Sequence, residues 1–273
     1  MESVPEDAVA AFARDGVVCL RSVLQGPEVA AAAAAIEAVL ASPGPLAQVA
    51  SSADDPGAFT EDFCRWREIP QIEQLARYSR VPALAAALMA TPQVRFYHDH
   101  VLVKEGRTKQ RTPWHQDQPY YNVDGRGVSA WIPVDPVPAG GCLELVAGSH
   151  RGPWLMPRTF LSKEARWFPE GSLAELPDID ADPGAFDIKR FDLEPGDAIF
   201  FDFLTVHGAP GFGYPTRRRI LSLRYLSAEA RHAPRAWRTS PPFDLPGELP
   251  AGAAMDHPLF PVVWPAVRGG LEN

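Results

Sequence analysis

Residues 193–209 read LEPGDAIFFDFLTVHGA. The Pro-Gly pair sets a turn, because proline fixes its own φ and glycine takes up conformations closed to other residues. The apolar run after it is short and rich in aromatic and β-branched side chains, which fits a buried strand. That strand carries His207 to its end, where Gly208 follows at once.

The same texture recurs outward from this stretch. Strands are predicted over 93–104 (QVRFYHDHVLVK), 127–134 (GVSAWIPV), 142–146 (CLELV), 186–193 (FDIKRFDL), 197–203 and 218–226 (RRILSLRYL). Glycine, proline and aspartate separate them, so the spacing predicts a β barrel or sandwich. The N-terminal third differs. Helices are predicted over 5–16, stopped by Gly16, over 27–41, opened by Pro27-Glu28, and over 82–90. Residues 42–59 read as a turn-rich connection, 152–185 as an excursion from the sheet, and the chain from about 230 as an irregular, proline-rich tail. The expectation is one domain over 1–273: a helical part to about 92, a mainly β core over about 93–228, and the tail.

Composition narrows the function. A chain of 273 residues with 46% hydrophobic content can bury one large core. A net charge of −8 speaks against nucleic-acid binding, which rests on neutralising phosphates, and against a basic membrane surface. No apolar run approaches the ~18 residues of a membrane span, and the alanine-rich run 29–42 is broken by Glu37. Cys19, Cys64 and Cys142 form no CxxC pair, which suits reduced thiols and a cytoplasmic setting. The N-terminal MESVPEDAVAAF lacks the basic start of a secretion signal.

PWHQDQPYY, residues 113–121, holds the first candidate ligands. In extended chain His115 and Asp117 share a face and Gln116 points away. Such tripeptides are common in solvated loops, so the pair needs a third ligand. His207 can supply it, 92 residues on, if the fold brings late and early strands together. Two histidines and one carboxylate leave three positions open on an octahedral ion, the facial triad of non-haem Fe(II) oxygenases. His98 and His100 form a rival pair, read here as pocket-lining or hydrogen-bonded core residues. His150 reads as a loop-fixing residue, and His232 and His257 carry no signal. Beyond His207 the chain runs into RRRILSLRY. Period-two alternation puts Arg217 and Arg219 on one face and Arg218 with Ile220 and Ser222 on the other. An inward arginine can grip a carboxylate by two parallel hydrogen bonds.

HVLVKEG, TPWHQD, VSAWIPVD, GGCLELVAGSH, LEPGDAIFFDFLTVHGA and RRRILSLRY occur in this order. Together they resemble the phytanoyl-CoA dioxygenase-like Fe(II)/2-oxoglutarate oxygenases over roughly residues 10–228. The resemblance implies a double-stranded β-helix (jelly-roll, cupin-like) core with helices packed outside. It implies Fe(II) on His115, Asp117 and His207, with 2-oxoglutarate and O2 as cosubstrates. In the family an arginine eleven residues after the last histidine holds the far carboxylate, and that count gives Arg218. Gln116, Trp131 and His100 match cosubstrate-lining positions. Many members carry serine where this chain has Ala209, so one cosubstrate hydrogen bond is absent or comes from another group. The implied activity is hydroxylation of a small or medium metabolite, with succinate and CO2 as co-products. Epoxidation, desaturation or rearrangement would use the same residues, whereas Asp117 argues against halogenation. The rival class is a non-catalytic cupin-like binding protein.

The loop EGRTKQRT, 105–112, carries Arg107, Lys109 and Arg111 and leads into His115. The expectation is that these cations hold an anionic substrate, with Tyr120 and Tyr121 against its apolar part. The competing reading is a solvated charge run. Oligomeric state leaves no mark in the sequence.

Overall fold

The computed structural model describes residues 4–156, 169, 171–243, 245 and 249–265. Within the excursion expected over 152–185, residues 157–168 and 170 therefore lie outside the described residues, as does the end of the tail.

In chain order the elements are α1 (Glu6–Asp15), β1 (Val17–Leu20), α2 (Gly26–Ala41), β2 (Gln48–Val49), β3 (Phe59–Phe63), α3 (Pro70–Tyr78), α4 (Val81–Leu88), β4 (Val94–Lys104) and β5 (Thr112–His115). Then come β6 (Val123–Asp124), β7 (Gly127–Pro133), β8 (Glu144–Val146), β9 (Ile188–Lys189), β10 (Ala198–Asp202), β11 (His207–Ala209), β12 (Arg218–Ser227), β13 (Arg231–His232) and β14 (Val262–Trp264). The large antiparallel sheet runs β1-β10-β7-β12-β4-β3-β2, with β14 added to β4. The small sheet runs β5-β11-β8-β9. These sheets form a jelly-roll core, and the helices pack outside it. Ile36 and Val39 of α2, Ile72 and Leu75 of α3 and Leu84 and Leu88 of α4 join Phe96, Val128, Phe200 and Leu223 of the large sheet in one buried cluster.

Local chemistry explains the helix ends. Gln25 and Glu28 satisfy each other's backbone N–H groups at the start of α2, with Pro27 in the first turn. Gly16 closes α1 at φ +74°, a conformation that favours glycine. A Cβ at Gly16 would lie 2.6 Å from Thr205 Oγ1, so the helix end and the segment before His207 meet only through a bare backbone.

Several expectations shift. The predicted strand 186–193 pairs only at Ile188–Lys189, with a separate bridge from Leu193 to Val137. Between them Arg190 turns out to Glu144, its Nη2 2.6 Å from Oε1. The helix over 70–78 and the strand over 59–63 were not expected, nor was β14. The tail is less irregular than its prolines imply, because β14 extends the large sheet and Phe243, Leu249, Met255 and Phe260 pack with Tyr97 and Tyr121.

Candidate active site

His115 ends β5 and His207 begins β11, and the two are direct register partners in the small sheet. Each ring is aimed by its own backbone. His115 Nδ1 lies 2.8 Å from Pro113 O and His207 Nδ1 2.9 Å from Thr205 O. A carbonyl only accepts, so each Nδ1 carries the proton and each Nε2 offers its lone pair. Both Nε2 atoms lie 3.7 Å from Asp117 Oδ1. Burial, with His115 second, drives the His207 pKa down to about 3, so its imidazole is neutral at ordinary pH.

Asp117 does not reach this point by strand alternation. Its backbone is helical, at φ −73° and ψ −42°, and it opens a single 3-10 turn over Gln118–Tyr120. The N–H groups of Asp117 and Gln118 both donate to Phe203 O, at 2.9 and 3.0 Å. The shared carbonyl folds the carboxylate back onto the histidines. Ser129 Oγ donates to Oδ2 at 2.8 Å, which leaves Oδ1 for the histidine side. Burial alone would raise the Asp117 pKa. The charge of Arg224 foremost, with the Ser129 hydrogen bond beside it, outweighs burial and holds the carboxyl far below the usual range. One ligand atom from each of His115, Asp117 and His207 lies within 4.8 Å of the others. Two imidazoles and one carboxylate suit a borderline divalent ion such as Fe(II).

The three residues border a cavity. Arg218 also lines it, 2% exposed, with its guanidinium 5.4 Å from the Trp131 ring and 5.7 Å from that of Phe212. Nη1 donates to Gly141 O, while Nε is buried without a partner. Among the described residues no carboxylate lies within 4.0 Å of Arg218, and burial lowers its pKa to about 10. Arg217 and Arg219 point outward, to Glu37 and to Glu37 with Asp135. Ala209 lines the cavity together with its register partner Thr112.

The other expected residues divide. Trp131, His100, Tyr120 and Tyr121 line the cavity. Gln116 does not. Its amide donates to Pro153 O and Leu204 O and accepts from Leu155 N, so it braces the loops behind the site instead of meeting a cosubstrate. The basic loop also lies elsewhere. Arg107 and Lys109 are exposed and outside the lining. Arg111 is bound to Glu144 at 2.7 Å and Asp180 at 3.2 Å, and lies over Trp114. These acids, distant in sequence, turn the loop's nearest cation away from the cavity. His98 is buried outside the lining, and His232 meets Asn122 at 3.3 Å, anchoring the tail. In the GSH segment it is Ser149 that fixes the loop, donating to Val146 O and accepting from Val206 N.

Arg224 was missed. It is buried, its Nε donates to Tyr121 Oη at 2.8 Å and lies 3.7 Å from Asp117 Oδ2, and its Nη2 faces His100 Nδ1 at 3.3 Å. The alternation that turns Arg218 inward also turns Arg224 inward. Glu61 was missed as well. It is 2% exposed and lines the cavity 3.2 Å from His100 Nε2.

The sequence pattern of the phytanoyl-CoA dioxygenases (PhyH) matches residues 12–218, which carry Glu61, His100, His115, Asp117, Trp131, His207 and Arg218 but not Arg224. The chain belongs to the phytanoyl-CoA dioxygenase family. The rat peroxisomal phytanoyl-CoA dioxygenase is 25% identical over 178 residues, 61% of this chain and 50% of that one. A probable phytanoyl-CoA dioxygenase of Caenorhabditis elegans is 24% identical over 194 residues, 67% and 54% of the two chains. The chain thus spans about half the length of the curated relatives it matches. Among solved structures, the epimerase SnoN, in complex with Fe3+, alpha ketoglutarate and nogalamycin RO, is 25% identical with TM-score 0.76, covering 94% of this chain and 98% of its own. The alpha ketoglutarate dependent carbocyclase SnoK, 23% identical with TM-score 0.75 over 95% and 96% of the two chains, shares the fold. No helix among the described residues is long and apolar enough to cross a membrane.

Proposed function

We propose that this family member is an Fe(II)/2-oxoglutarate-dependent oxygenase that hydroxylates a small or medium molecule, its helices, core and tail acting as one oxygenase domain. The observation that carries this reading is the pairing of the three-residue ligand set with Arg218, a buried guanidinium lacking an anion. A protein that only binds metal needs no such second charge. When bound, Fe(II) and 2-oxoglutarate supply the power to oxidise a substrate C–H bond with O2, releasing succinate and CO2.

The chain's own residues hold and aim these groups. His115, Asp117 and His207 would hold the ion through one atom each. Arg218 would pair with the distal carboxylate of 2-oxoglutarate, with Trp131 beside it in the cavity wall. Thr112 supplies the hydroxyl that Ala209 lacks. Tyr120 and Tyr121 exclude water from the face nearest His115, where Tyr120 sits edge-on at 5.8 Å. His100 borders both cosubstrate and substrate.

The expectation of an anionic substrate rested on Arg107, Lys109 and Arg111. With these outside the cavity, other residues set the substrate's charge. Three free cysteines support a reducing compartment such as the cytoplasm. A second outcome, epimerisation of a stereocentre, is favoured by the likeness to the epimerase SnoN. Anaerobic titration tests the class: Fe(II) with 2-oxoglutarate should give the visible charge-transfer band of the chelate at one equivalent, and His207→Ala should abolish it. A full-strength band in His207→Ala would sink the assignment.

A further inference from the structure

The edge of the large sheet formed by β2 and β3 puts a carboxylate into the cavity wall. Glu61 belongs to β3, opposite Leu102 of β4 in register, and is 2% exposed. Gln48 Nε2 donates to its Oε2 at 3.0 Å. Its Oε1 faces His100 Nε2 at 3.2 Å, and the His100 ring stacks on Phe63 at 3.8 Å.

The tautomer of His100 follows from its other side. Arg224 Nη2 faces Nδ1, and a guanidinium can only donate. Nδ1 therefore accepts, and Nε2 carries the proton. Both neighbours of Glu61 are thus neutral, and of the two only Gln48 makes a hydrogen bond to it, because His100 Nε2 lies 3.2 Å away without the geometry of one. Among the described residues no lysine or arginine lies within 4.0 Å of it. The charge of Arg224 is set against Asp117 and spent on Tyr121 and His100. A carboxylate offers about four acceptor sites, and the one donor from Gln48 leaves the others open. Holding an ionised carboxylate in a wall without a countercharge costs stability unless a ligand completes it.

We propose that Glu61, held by Gln48 beside His100, is the recognition point for the primary substrate, which meets it with a hydrogen-bond-donating group, an ammonium or a hydroxyl, and not with an anion. This rests on the oxygenase reading above. The placement also argues against carboxylates, phosphate esters and acyl thioesters of coenzyme A at this wall, since each would set a like charge or a bare acceptor against the carboxylate.

The test uses the full chain with Fe(II), 2-oxoglutarate and O2. Succinate release above the substrate-free background is measured with three size-matched panels: primary amines and amino sugars; neutral polyols and glycosides; carboxylates, phosphate esters and acyl thioesters. Stimulation is expected from the first two panels. For the best compound, Glu61→Gln should raise KM at least ten-fold while the 2-oxoglutarate constant stays within two-fold. A hundred-fold rise marks an ammonium ligand, and a rise nearer ten-fold marks a hydroxyl. Glu61→Asp, which keeps the charge but withdraws it, should also raise KM and guards against a folding defect in the amide variant. Stimulation chiefly by the third panel, or an unmoved KM in both variants, would overturn the proposal. Failure of the oxygenase reading looks different: the wild-type chelate band and its substrate-free succinate formation would both be missing.

Discussion

Arg218 and Arg224 stand on one strand, face the same interior and line the same cavity, yet their surroundings are opposite. Arg224 has Tyr121, His100 and Asp117 around it. Arg218 has two aromatic rings, one carbonyl and an orphaned Nε. A buried charge is tolerated when its partners are in place, and an unpaired one is costly. The contrast separates an arginine that completes the protein from an arginine that a ligand completes.

The sharpest way to break this contrast is Arg218→Met. Loss of a buried charge's partner costs about 3–5 kcal/mol, so the apparent 2-oxoglutarate constant should rise by about two to four orders of magnitude. Thermal stability should hold or improve, because the orphaned charge goes with it. Weak binding together with a collapsed Tm would put Arg218 in the same category as Arg224.

Arg224→Met should do the reverse. Hydrogen bonds to charged groups contribute about 1.5–3 kcal/mol each, so denaturant unfolding should show a loss of that order. Fe(II) affinity should fall about 10- to 100-fold, as when a ligand's supporting partner is removed. The pH dependence has a definite sign. Arg224 is the foremost charge depressing the Asp117 carboxyl, so its removal raises that pKa. As pH falls, Fe(II) binding should then fail at a higher pH in the variant than in the parent. Identical pH profiles would show that Arg224 only packs.

Smaller effects sharpen the Arg218 side. Thr112→Val should raise the 2-oxoglutarate constant a few-fold, in line with about 0.5–1.5 kcal/mol for one neutral hydrogen bond. The smallest effect belongs to the outward neighbours. Arg217→Ala removes a half-exposed ion pair with Glu37, about 0–1 kcal/mol of stability, and should leave both substrate constants alone. Arg107→Gln and Lys109→Gln should do the same, which steady-state kinetics would read directly.

The comparison also locates what the sequence could carry. Strand texture and alternation are local, so β4, β7, β10 and β12 were legible nearly to their ends, and so was the inward phase of Arg218. Arg224 follows from the same phase, but a count taken from His207 reaches one arginine and stops. The convergence of Asp117 on His115 was expected for the wrong reason, because the Phe203 carbonyl that turns the chain is far away in sequence. Gln116 and Arg111 failed likewise: the groups that claim them, at 153–155, 204, 144 and 180, are neighbours only after folding. Glu61 lay unseen because FTEDF follows a turn-rich run and becomes a strand only by pairing with β4.

The tail has a consequence for how such a protein can be altered. Ala233 N donates to Asn122 O, Arg235 to Tyr121 O and Val123 O, Trp237 to Pro119 O and Ser240 N to Tyr120 O. Arg235 also lies 4.8 Å over the ring of Trp154, tying this strap to the excursion. Ser240 reaches the cavity wall itself. All of this chain lies past residue 218, where the family pattern ends. The strap therefore braces the backbone of residues 119–123 from outside the matched pattern and gives one residue to the cavity wall. An exchange of residues 233–243 would reshape that wall while every ligand-bearing strand kept its own sequence.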